Sequence, residues 1–174
     1  PLPEAFVGVM AEFDDAQSLV RAVVEARRRR LWLLVAEFMD DAGSEFVGLP
    51  RRYTLWIGMD VTSGAEDVAL ARLRQVVEAA GGKISAEALD WGTFFKLLAP
   101  RRNLYPAPVK KAVEQYGGDA VIWMGDVAVP ASTLPEALAE MKRLAEEYGV
   151  PTIFGGHVGD GNIHPVLWFS RRDD

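Results

Sequence analysis

Residues 53–66 read YTLWIGMDVTSGAE. In the first nine, Tyr53, Leu55, Ile57, Met59 and Val61 occupy every second position and so share one face of an extended chain. That period of two predicts a half-buried strand over 53–61. Ser63 followed by Glu66 has the S-x-x-E spacing of a capping box, which predicts a helix opening there. Its core face carries Leu70, Leu73, Val77 and Ala80, and Gly81-Gly82 ends it. Lys83-Ile84-Ser85 then begins another extended piece. Upstream, Ala5 to Met10 reads as a strand, and Asp14 or Asp15 can cap a helix that buries Leu19, Val20 and Val23. Leu31 to Ala36 is a short apolar run of strand length. The order around the opening stretch is therefore β-α-β-β-α-β. This is the ferredoxin-like arrangement, an antiparallel sheet with helices on one face.

Downstream the pattern is irregular over residues 88–118. Trp91, Phe94, Phe95 and Leu97 suit a short helix, while Pro100, Pro106 and Pro108 interrupt it. Val109 to Tyr116 predicts a helix ended by Gly117-Gly118. Ala120 to Met124 predicts a strand. Thr133 and Glu136 form a second capping-box pattern, opening a helix that buries Leu134, Leu138, Met141, Ala145 and Tyr148. Strands over Pro151–Phe154 and Ile163–Phe169 follow. The expected fold class is α+β, with two ferredoxin-like units over about 1–88 and about 105–174 that share one sheet or pack side by side.

Composition narrows the function classes. With 25 acidic and 19 basic residues the chain carries a net charge of -6, which argues against nucleic acid as the main partner. The run Arg27-Arg28-Arg29-Arg30 closes a helix, where cations complement the carbonyl end of the dipole. The absence of cysteine excludes disulfides, thiolate nucleophiles and cysteine metal sites. No apolar run approaches the ~20 residues of a membrane span. The expected location is cytoplasmic, or peripheral to a membrane through a partner.

Both histidines of the chain fall in FGGHVGDGNIHP, residues 154–165. They are either polar residues on an ordinary hairpin or one site. A two-residue turn at Asp160-Gly161 would pair Gly159 with Asn162, Val158 with Ile163 and His157 with His164. Directly opposed side chains have Cβ atoms ~4.5–5.5 Å apart, close enough for two imidazoles to share a divalent ion. The glycines leave the backbone bare, so something flat can approach, and the Asn162 amide can both donate and accept. Other motifs fail. No third glycine completes G-x-G-x-x-G, there is no G-K-[ST] or G-x-S-x-G, and the histidines are not at helical i, i+4 spacing.

Gly156-His157-Val158-Gly159-Asp160-Gly161-Asn162-Ile163-His164 resembles the G-H-x-G-D-G-N-x-H signature of the FAD-linked oxidase C-terminal domain. This is the domain of flavoenzymes such as D-lactate dehydrogenase, D-2-hydroxyglutarate dehydrogenase and the glycolate oxidase flavin subunit. Asp126 to Pro130, with Ser132 and Leu134, is similar to the family's D-V-A-V-P-x-S-x-L stretch. The opening Pro3-Glu4-Ala5 and the helix start Asp14-Asp15-Ala16 are similar to the start of the domain.

The resemblance implies a ferredoxin-like cap over a flavin held mainly by a separate N-terminal FAD-binding domain. It implies oxidation of a small 2-hydroxy acid to a 2-oxo acid by an FAD-dependent oxidoreductase acting on CH-OH groups. Implied metal ligands are His157 and His164, for a divalent cation such as zinc. Asn162 is implied at the substrate, Arg101 at its carboxylate, and Gly159 and Gly161 near the flavin ring. The third ligand and the catalytic base belong to a Glu-His segment not found before Asp174, so no catalytic base is assigned within the chain. The chain is therefore expected to be a piece of a longer flavoenzyme, inactive alone and binding neither FAD nor metal tightly. An electron-acceptor subunit is a further expected partner. The alternative is a non-catalytic ferredoxin-like module for ligand binding or subunit pairing.

Overall fold

The computed structural model describes residues 4–172. Pro3 of the opening motif and the terminal Asp173 and Asp174 lie outside the described residues. The chain runs β1 (Ala5–Phe13), α1 (Ala16–Arg28), β2 (Leu33–Met39), α2 (Asp41–Phe46), β3 (Tyr53–Val61), α3 (Glu66–Ala79) and β4 (Lys83–Ala88). It continues with α4 (Trp91–Leu97), α5 (Ala99–Arg102), α6 (Pro106–Tyr116), β5 (Ala120–Met124) and β6 (Val127–Ala128). It closes with α7 (Leu134–Glu147), β7 (Thr152–His157) and β8 (Asn162–Ser170).

Seven strands form one continuous sheet in the order β4-β1-β3-β2-β7-β8-β5, every neighbouring pair antiparallel, and the two-residue β6 pairs with β8. The expected α+β class with an antiparallel sheet holds. The two ferredoxin-like stretches share one sheet: β5-β8-β7 repeats the order β1-β3-β2, and β2 and β7 form the joint. Phe38 pairs with Gly156 and Met39 with Gly155 across it. Just past the joint, Asp40 is fully buried and caps α2 by accepting from Gly43 N (2.8 Å). It also accepts from Phe154 N (3.0 Å) and pairs with Lys142 of α7 (3.1 Å). One carboxylate thus ties the end of β2 to β7 and α7.

Alternation along the strands builds a core on each face. Val7, Val9, Ala11, Phe13, Leu55 and Ile57 pack with Leu19 and Val23 of α1, Leu70 and Leu73 of α3, and Leu134 and Leu138 of α7. This is the expected helical face. Phe6, Trp56, Ile153, Val166 and Trp168 point the other way and pack with Phe94 of α4, Leu104 and Ala112 of α6. Helices therefore cover both faces, not one. The segment 88–118 fills the second face, because the residues between those on the first face are also apolar. Trp56 is fully buried there and donates Nε1–H to Leu97 O at 2.7 Å.

Several local expectations are corrected. Neither capping box forms. Ala65 precedes α3 without a side-chain cap, since Gly64 takes a left-handed φ of 89° and Ser63 N donates to Glu4 instead. Thr133 donates its hydroxyl to Pro130 O (2.9 Å), closing a 3₁₀ turn ahead of α7. On α7 only Leu134 and Leu138 are buried, and Tyr148 is 74% exposed. β2 starts later than Leu31, because Leu31 folds back under the end of α1, its N–H bonded to Ala26 O (3.0 Å). Among the described residues no helix is long and apolar enough to cross a membrane.

Candidate functional site

The β7–β8 connection is a four-residue loop, Val158 to Gly161, not a two-residue turn. Asp160 N bonds to His157 O and Gly161 N to Val158 O. Gly161 has φ 73°, and a Cβ there would lie 1.9 Å from Val129 O. Its bare backbone lets Val129 N bond to Gly161 O (3.0 Å) while β6 pairs Ala128 with Asn162. The glycine at 161 is thus required by the chain's own packing. The register differs from the expected one accordingly, and His164 lies opposite Gly155. The slip is two residues, and a strand alternates faces with period two, so both histidines still share a face. Their ring centroids are 5.3 Å apart with the planes at 89°.

Three distant stretches meet here. Glu37 of β2 is paired with His157 across the joint between β2 and β7. Its Oε1 is 2.5 Å from His157 Nδ1 and its Oε2 is 3.1 Å from Arg101 Nη2. Arg101 arrives from α5. That helix is seated by the buried Leu104, which packs where a side chain at Gly155 would be; a Cβ there would lie 2.7 Å from Leu104 Cδ2. On the other side, His164 Nδ1 lies 3.3 Å from Gly125 O and 3.9 Å from Asp126 Oδ1. Asp126 also accepts from Asn162 Nδ2 at 2.7 Å. The result is a continuous polar string, Arg101–Glu37–His157–His164–Asp126–Asn162.

Two buried atoms in the string lack hydrogen-bond partners, Arg101 Nε and Asn162 Oδ1. A carboxylate can only accept, so Asp126 turns the amide nitrogen of Asn162 toward itself and leaves the amide oxygen free. Burial pulls the Arg101 guanidinium below its ordinary value, against the opposing pull of Glu37. It stays a cation, with one donor unused. An unmet buried donor and an unmet buried acceptor are costly unless a ligand or water meets them. A cleft of about 350 Å³ opens at the Arg101 end, lined by Val35, Glu37, Phe95, Leu98, Arg101, Arg102 and His157. Arg102, next in sequence, stacks over Phe95 at 4.3 Å and does not join the string.

The histidines meet part of the requirement for a divalent cation. Each has its Nδ1 beside an oxygen that can only accept, a setting in which a neutral ring carries its proton on Nδ1 and leaves Nε2 as a lone pair. Two imidazoles on one tetrahedral zinc, with Zn–N of ~2.0 Å, have centroids roughly 5 Å apart. The observed spacing fits. The set is incomplete in this chain, because among the described residues no group of three His, Cys, Asp or Glu is suited to a metal.

Reading the sequence placed His157, His164, Asn162 and Arg101 in a site, and the fold brings all four to one patch. It missed Glu37 and Asp126. A lone carboxylate within Leu33-Leu34-Val35-Ala36-Glu37-Phe38-Met39 was the available signal for Glu37. Asp126 stood in a quoted motif without a role. Gly159 lies near the patch: with Glu37, His157, Arg27 and Asp160 it lines a separate hollow of about 170 Å³.

Comparison with known proteins bears on this patch. Residues 2–174 match the family described as FAD linked oxidases, C-terminal domain. The chain belongs to that family. It is 46% identical over 160 residues to a D-lactate dehydrogenase of Archaeoglobus fulgidus, covering 87% of this chain and 33% of that protein. It is 28% identical over 181 residues to the glycolate oxidase subunit GlcD of Escherichia coli, covering 99% of this chain and 35% of that one. The probable mitochondrial D-lactate dehydrogenase of Danio rerio is 26% identical over 180 residues, with 99% and 35% covered. The chain thus spans about a third of the length of these relatives.

Among solved structures, alkyldihydroxyacetonephosphate synthase superposes with a TM-score of 0.74 at 10% identity, covering 98% of this domain and 38% of that chain. p-Cresol methylhydroxylase superposes with a TM-score of 0.64 at 14% identity, covering 99% and 40%. At such identities the likeness speaks for the fold alone. The family implies an N-terminal FAD domain in the same protein.

Proposed function

We propose that this FAD-linked oxidase C-terminal domain is the substrate-binding cap of an enzyme that oxidises a small 2-hydroxy acid to the 2-oxo acid. The observation that carries the reading is the pairing of unmet groups around two imidazoles. A 2-hydroxy acid presents a carboxylate, which accepts, beside a hydroxyl, which donates. Arg101 Nε is a buried cationic donor without a partner and Asn162 Oδ1 a buried acceptor without one. They lie at opposite ends of the string that holds His157 and His164. The relatives named D-lactate dehydrogenase and glycolate oxidase support the substrate class.

In this reading Arg101 holds the substrate carboxylate by a charge-assisted hydrogen bond. Asn162, turned by Asp126, orients the hydroxyl. Phe95 and Leu98 exclude water from one side of the cleft. When bound, the flavin would supply a hydride acceptor; His157 and His164 would be the ligands this chain offers to a divalent cation such as zinc, which would supply Lewis acidity toward the substrate oxygens. The Gly159–Gly161 loop would lie near the flavin ring. The cation's third ligand and the base that takes the hydroxyl proton come from outside the described residues. The flavin is held mainly by the N-terminal domain, and an electron-acceptor subunit reoxidises it, in the cytoplasm or at a membrane surface.

The test is to prepare the chain joined to its flavin domain and mix it anaerobically with D-lactate, glycolate and D-2-hydroxyglutarate. Bleaching of the oxidised flavin by at least one acid is expected. Arg101→Ala should raise the half-saturating concentration about tenfold or more, the value of a hydrogen bond to a charged group. No bleaching by any 2-hydroxy acid would favour a non-catalytic binding module instead.

A further inference from the structure

Resting on that reading, we infer that Glu37 is the positioning residue of the site: it fixes the proton on His157 Nδ1 and holds Arg101 in register with it. The strand that carries Glu37 is otherwise apolar, Leu33-Leu34-Val35-Ala36 before it and Phe38-Met39 after it. A carboxylate on a face shared with Val35 and Met39 is costly unless both oxygens are satisfied. They are, and by different partners. Oε1 meets His157 Nδ1 at 2.5 Å and Oε2 meets Arg101 Nη2 at 3.1 Å. The Glu37 side chain is 19% exposed and that of Arg101 15% exposed, so the pair is largely sheltered from solvent.

The geometry divides the work between the two oxygens. An ionised carboxylate can only accept, so the neutral His157 ring must carry its proton on Nδ1 and present Nε2 as a lone pair. Without Glu37 the ring is free to take the other tautomer, which points an N–H at the place where a cation or substrate oxygen would sit. The second oxygen anchors a guanidinium that reaches the site from a four-residue helix none of whose own residues is buried. Position 37 also lies in the joint between the two halves of the sheet, opposite His157. One side chain therefore sets the spacing between the imidazole and the carboxylate-binding arginine, each from a different part of the chain.

Glu37→Gln gives a sharp test because it keeps the shape and removes the charge. An amide has one acceptor and one donating end. Arg101 can only donate, so the amide oxygen must face Arg101 and the NH₂ must face His157 Nδ1. The substitution should therefore move the ring proton from Nδ1 to Nε2. The measurement is ¹⁵N–¹H correlation through the imidazole ring of His157 in the purified 174-residue chain, with pH set so that the ring carries a single proton. The wild-type chain should show the Nδ1–H tautomer, Glu37→Gln the Nε2–H tautomer, and Arg101→Gln, with Glu37 intact, the Nδ1–H tautomer again.

The Nε2–H form in the wild-type chain would overturn the inference, and this holds even if Glu37→Gln does not fold. The same tautomer in wild type and Glu37→Gln would overturn it as well. The enzyme reading is tested separately by flavin bleaching. Correct tautomers with no bleaching would sink the oxidase and leave Glu37 in its role. Bleaching with unchanged tautomers would do the reverse.

Discussion

The two halves of the sheet repeat one strand order but are finished differently. In the first half, α1 and α3 lie side by side over β1 and β3, and Leu19, Leu73, Val76 and Val77 are essentially inaccessible. In the second half α7 lies over β7 and β8, touching α1 only on one side. Beyond Leu138 its apolar side chains, Met141, Leu144 and Tyr148, line an open groove of about 500 Å³ with Leu167 and Phe169. The half with the closed core supplies Glu37 from its last strand in the sheet. The half with the open groove supplies His157, Asn162 and His164. Stability and chemistry are thus concentrated in different halves, and the joint between β2 and β7 is where a rigid scaffold holds a site made mostly of loop-proximal residues.

The largest expected effect follows from that contrast. Leu73→Ala, in the closed core, should lower unfolding free energy by about 2–5 kcal/mol, the range for buried leucines. Leu144→Ala, at 39% exposed in the open groove, should cost about 0.5 kcal/mol or less. Urea unfolding of the two variants checks this, and comparable losses would erase the distinction.

A second contrast is between two glycines with positive φ. Gly161 has φ 73° and its missing Cβ position is filled by Val129 O; Gly117 has φ 56° and open space around it. Gly117, at φ 56° and ψ -127°, lies in a region other residues rarely enter, so Gly117→Ala should cost on the order of 1–3 kcal/mol for the backbone alone. Gly161→Ala should cost more and shift the His157 and His164 resonances, because the loop must move. Equal costs, with unmoved histidine signals, would mean that the loop yields freely.

The smallest effect is on acid stability. Burial raises the Asp41 carboxyl, but the hydrogen bond and charge of Lys142 outweigh it and hold the group below its ordinary value. Its stabilisation is therefore present above the unfolded value of about 3.9 and lost as pH falls through the folded value. Neighbouring Asp40 works in the opposite sense, since burial holds its carboxyl above the ordinary value despite Lys142. Asp41→Asn should thus reduce the loss of stability between pH 6 and 3, by less than about 1 kcal/mol for a partly exposed pair. Thermal melts across that range read it directly. An unchanged acid slope would remove Asp41 from the account.

Much of this was legible in the sequence where periodicity was strong. Tyr53–Val61 is a strand with the bounds that alternation gives, and Asp15 caps α1 as its position suggests. Legibility failed where a tertiary partner decided the outcome. Thr133 bonds Pro130, and Ser63 is held by Glu4, so two good capping-box patterns carry no cap. Tyr148 continues the apolar stripe of α7 yet stands exposed, because a helical period shows which face is apolar and not how much of it is covered. The histidine pair was readable because a two-residue register error leaves the face unchanged. Glu37 was not, since its partners lie 120 and 64 positions away and local pattern says nothing of them.

In the proposed enzyme His157 and His164 act on the substrate and not on the flavin. This is tested most directly by anaerobic flavin reduction in the flavin-containing protein carrying His157→Ala or His164→Ala. An unchanged flavin spectrum and content is expected, with reduction by the 2-hydroxy acid slowed by about 10–100-fold or more in each variant. Wild-type reduction rates in both variants, with flavin fully bound, would contradict it.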